Sequence, residues 1–168
     1  SLYAKTTSAN EVGGDYCDVV PLSDNNYALT VGDVSGHNVA AGLLMAMLKT
    51  AFHTELKYQV QPALLGASLN RTIYENKNKR MFISFLYGLL DPASQSLEYI
   101  NCGHPPILHV KPGEHVIEEH RTGDVALGLR HNCAFKADRI RYSSGDLLIF
   151  LSDGIIESAN SAGDEFGM

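Results

Sequence analysis

The chain has 168 residues, of which 45% are hydrophobic, with 15 glycines and 6 prolines, and this composition is typical of one globular domain. Its formal net charge of −6 argues against a nucleic-acid partner bound through phosphate neutralisation. There is no CxxC pair among Cys17, Cys102 and Cys133, which indicates reduced thiols in a cytoplasmic protein and no disulfide framework.

The first half of the chain predicts two strands followed by two helices. We expect the strands over residues 16–20 and 26–34, with the turn PLSDNN between them, and the helices over residues 39–57 and 62–76. The apolar run VAAGLLMAML inside the first helix has ten residues, whereas a membrane span needs about 20. This helix is therefore expected to be buried in the protein, and no membrane insertion is predicted.

The second half predicts only strands, separated by turn signals such as DPASQ and KPGE. A chain in which two helices stand between runs of strands, with close hairpins later, favours antiparallel sheets with helices packed outside them. A doubly wound parallel sheet would need regular alternation of strands and helices, which is absent. The expected strands cover residues 81–91, 96–103, 107–111, 115–119, 133–142 and 146–153.

Three aspartates stand where apolar strand faces end. Asp33 ends the face that carries Leu29 and Val31. In the strand expected over 146–153, Leu147, Ile149 and Leu151 share a face that ends in Asp153. Asp15 shares parity with Val19.

Carboxylates that converge in this way repel one another, and hard cations such as Mg²⁺ or Mn²⁺ remove the repulsion. The alternative is that each aspartate caps a turn, because GDVSG and SDG are good turn sequences.

Four segments stand out in chain order: EVGGDYCDVV (11–20), GDVSGHNVAAGLLMAML (32–48), NCGHPP (101–106) and LSDGIIESANSAGDEFG (151–167). In this order they resemble the motifs of the PPM-type protein phosphatases, and more closely their SpoIIE-like branch, which includes RsbU- and RsbX-like phosphatases. The resemblance implies an α+β fold, a four-layer α-β-β-α sandwich of two antiparallel sheets flanked by helices. It also implies hydrolysis of phosphoserine or phosphothreonine in proteins with two Mn²⁺ or Mg²⁺ ions.

Carried over by position, the resemblance implies that Asp33 bridges the metals and that the carbonyl of Val34 lies beside it. Asp15 would hold the metals largely through water, Asp153 would be a direct ligand, and Asp18 is a weaker candidate ligand. The implied reaction is direct attack on the phosphoryl group by a metal-activated water, with no phosphoenzyme. The implied substrate is a phosphorylated STAS-domain protein, either an anti-sigma-factor antagonist or a stressosome component in bacterial stress signalling.

The sequence departs from the family pattern at two places that concern the site. The family carries a further Asp in a C-terminal strand containing DD, and the printed sequence ends at Met168 before such a segment. We therefore expect one phosphatase domain over residues 1–168 that lacks the C-terminal strand or strands of the family. Where eukaryotic relatives have a His two residues after the bridging Asp, this chain has Ser35, and His37 is a nearby alternative proton donor.

The remaining histidines are interpreted as structural or surface residues, because their spacing is not that of metal ligands. His104 is expected to be structural in its loop, and the others are expected on the surface or in strands: His53, His109, His115, His120 and His131.

Two other functions remain open at this point. One is a catalytically weak or inactive module of the same fold that binds phosphoprotein partners. The other is a two-metal nuclease, for which the sequence offers no basic patch.

Overall fold

The computed structural model of the chain describes residues 1–5, 14–36, 39–77, 80–113, 116–160, 163–164 and 167. Among these described segments, no helix combines the length and hydropathy needed to cross a membrane. In chain order the elements are β1 (Asp15–Pro21), a 3-10 turn (Ser23–Asn25), β2 (Tyr27–Val34), α1 (Val39–Glu55), α2 (Pro62–Asn76), β3 (Ile83–Asp91), β4 (Ser96–Cys102), β5 (Ile107–Lys111), β6 (Val116–His120), β7 (Asp138–Arg141), β8 (Leu147–Ile149) and α3 (Asp153–Ile156).

The strands form two antiparallel sheets. The large sheet has five strands in the order β1-β2-β3-β4-β7, and the small sheet has three in the order β6-β5-β8. Neighbours β1 to β4 follow one another in the chain, as expected for strands joined by hairpins and by one long helical connection.

The two long helices pack on one face of the large sheet. α2 begins with Pro62 in its first turn after the extended residue Gln61, which is the position where a proline costs the helix no hydrogen bond. Its apolar residues recur every fourth position and are fully buried, so this stripe fixes the side that faces the sheet. The core between helices and sheet includes Leu44, Leu48, Phe52, Leu65, Leu69, Ile73, Phe85, Tyr87 and Ile100.

A second core lies between the two sheets. It combines residues of the large sheet with residues on and next to the small sheet, so the sheets pack face to face. The predicted α+β fold of two antiparallel sheets with helices is confirmed. Among the described residues, the outer helix layer of the four-layer sandwich is not represented, since α3 has four residues and none is buried. This second core includes Leu29, Leu86, Leu90, Leu97, Tyr99, Ile107 and Ile140, with Leu148 and Phe150 packed against it.

Two predicted strands are much shorter in the structure. The strand expected over 133–142 is formed only over Asp138–Arg141, and the one expected over 146–153 ends at Ile149. In the second case the chain leaves the sheet and starts a helical turn at Asp153. The prediction that Asp153 ends a strand face was therefore wrong, because three residues between Ile149 and Asp153 have no strand pairing.

Candidate functional site

Asp15 and Asp33 lie directly opposite each other at one end of the large sheet. The antiparallel register of β1 and β2 pairs these two residues, and directly opposed side chains on one face are only about 5 Å apart at Cβ. Val19 and Leu29 lie on the same face of their strands and pack in the core between the sheets. Both carboxylates therefore lie at the edge of the space between the two sheets.

Asp153 reaches the same place from the small sheet. Its backbone follows β8 and opens α3, and the preceding Ser152 Oγ lies 3.4 Å from Asp15 Oδ2 as a hydrogen-bond donor. One carboxylate oxygen from each of Asp15, Asp33 and Asp153 lies within 4.8 Å of the other two. The structure thus brings together three of the predicted site residues, two from neighbouring strands of the large sheet and one from the first turn of α3.

The electrostatics of this group favour a bound cation. Burial, followed by the nearby charges of Asp153 and Asp15, raises the pKa of Asp33 to about 7. The ion pairs found in the described residues give none of these three carboxylates a Lys or Arg partner. The mutual repulsion is therefore left to be relieved by a proton or by a metal ion.

Gly14 leaves open space beside this group. A Cβ at position 14 would lie 3.0 Å from the carbonyl oxygen of Val34 and 3.1 Å from Asp33 Oδ1. The Val34 carbonyl and the Asp33 carboxylate therefore face the same small space, which a side chain at position 14 would crowd. Three carboxylates with a backbone carbonyl are the oxygen donors that Mg²⁺ and Mn²⁺ prefer, so the residues present fit such ions.

A buried pair supports the group from the neighbouring strand. Ser84 is the cross-strand partner of Asp33, and its Oγ lies 2.9 Å from Nδ1 of His104. Asn101 Oδ1 accepts the backbone N–H of His104, which holds the loop that carries this histidine. Burial lowers the pKa of His104 to about 4, against the opposing effects of the Leu151 backbone and the Asp153 charge. Sequence reasoning missed Ser84, because only the register between β2 and β3 shows that it lies opposite Asp33.

Asp18 lies away from the three carboxylates. It stands three residues after Asp15 in β1 and so belongs to the opposite face, where Tyr16 packs against Phe52 of α1. Its Oδ2 lies 2.9 Å from His53 Nε2 and accepts a hydrogen bond from Tyr16 at 2.9 Å. Asp18 is therefore occupied by side chains of the helix-facing core and is not part of the group.

Ser35 has a backbone role in the structure. Its Oγ accepts the N–H of Phe82 at 3.0 Å, and its own N–H donates to the Phe82 carbonyl at 3.0 Å. These two bonds tie the turn after β2 to the start of β3. His37 and His115 lie outside the described residues.

His109 and His120 lie in strands, as the sequence allowed, but it did not indicate that they come together with a carboxylate. Both are in strands, but His109 is fully buried, and the two imidazoles converge with Glu118 on one face of the small sheet. Their sequence positions gave no sign of this because the hairpin turn lies between them.

Comparisons with known proteins agree with this fold and identify the family of the chain. A family model described as stage II sporulation protein E (SpoIIE) matches residues 23–168. Phosphoserine phosphatase RsbU of Bacillus subtilis (strain 168) is 24% identical over 160 residues, covering 95% of this chain and 48% of the relative. Phosphoserine phosphatase RsbP of the same organism is 23% identical over 160 residues, covering 92% of this chain and 39% of the relative. The chain thus spans about half or less of these curated relatives.

Solved structures show the same fold. The RsbU and RsbW domains of Rv1364c from Mycobacterium tuberculosis match with a TM-score of 0.79 and 28% identity, covering 91% of this chain and 43% of that one. The SiaA-PP2C domain of Pseudomonas aeruginosa matches with a TM-score of 0.80 and 17% identity, covering 94% of this chain and 63% of that one.

Proposed function

The chain belongs to the SpoIIE family, and from this membership we propose that it is a serine/threonine phosphoprotein phosphatase that works with two divalent ions, Mn²⁺ or Mg²⁺. The observation that carries the proposal is the meeting of Asp15, Asp33 and Asp153 within 4.8 Å. The two relatives named phosphoserine phosphatase RsbU and RsbP support the reaction.

In the proposed mechanism the three carboxylates would hold the metal ions, and the carbonyl of Val34 would be a further oxygen donor. When bound, such ions lower the pKa of a water molecule to about 7 and neutralise charge on phosphoryl oxygens. Asp33 is half-buried and has both other carboxylates beside it, so it is the residue that would be shared by the ions. Gly14 keeps the approach to this space open because it has no side chain.

In this proposal Ser84 and His104 are positioning residues that hold the structure beside the aspartate group. His104 is buried and, with its pKa lowered to about 4, uncharged at neutral pH. It therefore adds no positive charge that would compete with a metal ion beside Asp33 and Asp153. We assign it to holding Ser84 and the adjacent loop, not to proton transfer.

We further propose that the substrate is a phosphorylated STAS-domain protein of the bacterial cytoplasm, in stress signalling. The support is the family resemblance and the RsbU-type relatives. Comparing dephosphorylation rates for a phosphorylated STAS domain and for an unrelated phosphoprotein tests this part: equal rates for the two would contradict it.

The reaction itself is tested with a small aryl phosphate. Wild-type hydrolysis should require added Mn²⁺ or Mg²⁺ and stop on chelation, and Asp33→Asn should abolish it. Asp91→Asn is the matched control, because Asp91 lies seven residues beyond the partner of Asp33 on β3, about 23 Å away. Turnover that survives chelation would contradict the proposal. A calorimetric titration that shows no Mn²⁺ binding would also contradict it and would favour the inactive module that binds phosphoprotein partners.

A further inference from the structure

A second group of possible ligands lies on the β5–β6 hairpin, away from the three aspartates. His109 of β5 is directly opposite Glu118 of β6, and His120 is directly opposite Ile107. Residues 107 and 109 share one face, and Ile107 packs in the core between the sheets. The side chains of His109, Glu118 and His120 therefore all lie on the inner face of the small sheet.

The distances in this group are too long for hydrogen bonds. Glu118 Oε2 lies 3.8 Å from His109 Nδ1 and 3.6 Å from His120 Nε2, whereas hydrogen bonds to nitrogen are about 2.7–3.2 Å long. Both of these imidazole nitrogens are buried, and neither has a hydrogen-bond partner among the residues that the structure describes. A buried polar atom without a partner is uncommon in a folded protein and calls for a ligand.

The same distances suit a metal ion. A tetrahedral zinc ion with bonds of about 2.0–2.2 Å holds its ligand atoms about 3.3–3.6 Å apart. One ligand atom from each of the three residues lies within 4.8 Å of the other two. The two contacts of Glu118 Oε2, at 3.8 and 3.6 Å, are within a fraction of an ångström of the separation that zinc ligands need.

Asp146 fixes the state of His109 that a metal requires. Its Oδ2 lies 2.8 Å from His109 Nε2, and it also accepts the N–H of Ser143 at 2.9 Å. Since this carboxylate accepts a hydrogen bond from Nε2–H, the neutral imidazole carries its lone pair on Nδ1, the nitrogen that faces Glu118. A carboxylate behind a ligating histidine is the usual support of a metal-bound imidazole.

We propose that His109 Nδ1, His120 Nε2 and Glu118 Oε2 bind a divalent transition metal ion, zinc in the first place, with water in the fourth position. Two imidazoles and one carboxylate select zinc over Mg²⁺ or Ca²⁺, which prefer oxygen. Lys111 Nζ lies 2.6 Å from Glu118 Oε1, so the other oxygen of Glu118 remains for the metal. The half-exposed Glu118 side chain gives water access to the ion.

The site has a structural consequence. An ion held by His109, Glu118 and His120 cross-links β5 to β6. The contact of His109 with Asp146 extends this link to the segment that forms β8 and continues to Asp153. The metal would therefore stabilise the small sheet, and this function does not depend on the proposed phosphatase reaction.

The probe is zinc alone, added to the Asp33→Asn chain so that the aspartate group is impaired. Calorimetry should show a zinc site in this chain. Co²⁺ in place of zinc should give the intense visible absorption of a four-coordinate ion with nitrogen ligands. Absence of zinc binding, or a Co²⁺ spectrum of a purely oxygen-ligated ion, would overturn the proposal.

Variants of the ligands give the second readout in the same background. Glu118→Gln and His120→Gln should each weaken zinc binding at least tenfold, and Asp146→Asn should weaken it about 10–100-fold. His131→Gln is the matched control, since His131 is exposed and lies outside the group, and it should change affinity less than twofold. Glu118 and His120 are partly exposed, so their variants are expected to fold, which circular dichroism checks. Unchanged zinc affinity in folded Glu118→Gln and His120→Gln chains would overturn the proposal.

Discussion

The aspartate group and the histidine group both lie on faces that meet between the two sheets, yet they differ in charge. The first consists of Asp15, Asp33 and Asp153 without a Lys or Arg ion pair among the described residues. The second has one carboxylate, Glu118, which already contacts Lys111. Without metal, the aspartate group is held together against repulsion, whereas the histidine group is close to neutral.

This difference separates two uses of a metal ion. Carboxylates that repel one another until a cation binds favour the binding of that cation. Groups held in an unfavourable arrangement of this kind are typical of functional sites. In the histidine group, which Asp146 supports, a metal ion would cross-link β5 to β6. Without the ion this group has little charge repulsion to destabilise the fold. We therefore expect substitutions in the first group to affect activity, and those in the second to affect stability.

The largest expected effect is a difference in kcat between substitutions of Asp153 and of Asp146, which lie on the same segment. Asp153→Asn removes a proposed metal ligand and should lower kcat about 10³-fold or more, because metal stabilisation of a phosphoryl transition state is worth several kcal/mol. Asp146→Asn, seven residues earlier, should lower kcat less than tenfold, since it acts only through the small sheet. Aryl phosphate kinetics at saturating Mn²⁺ measure both. Equal losses in the two variants would remove the distinction between the groups.

The second effect concerns the histidine that supports the aspartate group. Burial lowers the pKa of His104 to about 4 from 6.5, so the unfolded chain binds more protons between these values. Its contribution to the free energy of unfolding is full above pH 6.5 and is lost as the pH falls to 4, by about 3 kcal/mol at most. Urea unfolding between pH 7 and 4 should show a weaker pH dependence for His104→Asn than for wild type. His131→Asn is the control, and parallel curves for His104→Asn and wild type would contradict the assignment.

The third effect has opposite signs in the two groups. Because the pKa of Asp33 is raised from 3.8 to about 7, the metal-free fold loses stability as the pH rises from about 4 to 7, and the loss is complete at pH 8. Asp33→Asn should therefore stabilise the metal-free protein at pH 8 by about 1–2 kcal/mol after allowance for solvent screening, or about 2–8 °C in Tm. Glu118→Gln, which loses the contact with Lys111, should lower Tm slightly. Thermal unfolding in chelator tests both, and a lower Tm for Asp33→Asn would show that the repulsion is relieved in another way.

The sequence was sufficient for features that depend on one element. Alternation along β2 predicted Asp33 on the same face as Leu29. The spacing of four residues between apolar positions in α2 predicted Leu65 and Leu69 in the core. Segment boundaries near the end of the chain were less accurate. β8 pairs with β5 over only three residues, so strand pairing ends before the apolar pattern does.

Features that depend on register between strands could not be predicted. The convergence of His109 with Glu118 and His120 requires one alignment of β5 with β6, and a slip of one residue would move one partner to the other face. The pairing of Asp33 with Ser84 likewise joins strands separated by two helices. Such contacts are set by tertiary packing, which composition and periodicity do not contain.

The smallest effect compares Asp15 with Asp18, three residues apart on β1 and on opposite faces. Although partial burial acts in the other direction, hydrogen bonds from His53 and Tyr16 lower the pKa of Asp18. Asp18→Asn should therefore lower stability by less than about 1 kcal/mol, as for a solvent-accessible pair. Its affinity for Mn²⁺, measured by calorimetry, should stay within twofold of wild type.

Asp15→Asn should instead weaken Mn²⁺ binding at least tenfold, because Asp15 lies in the aspartate group. The two variants make the same chemical change in the same strand, so the face of the strand is the variable that differs. If Asp18→Asn weakened Mn²⁺ binding as much as Asp15→Asn, the metal site would extend through β1 to the helix-facing side. The contrast between the metal-binding face of β1 and its helix-facing side would then no longer hold.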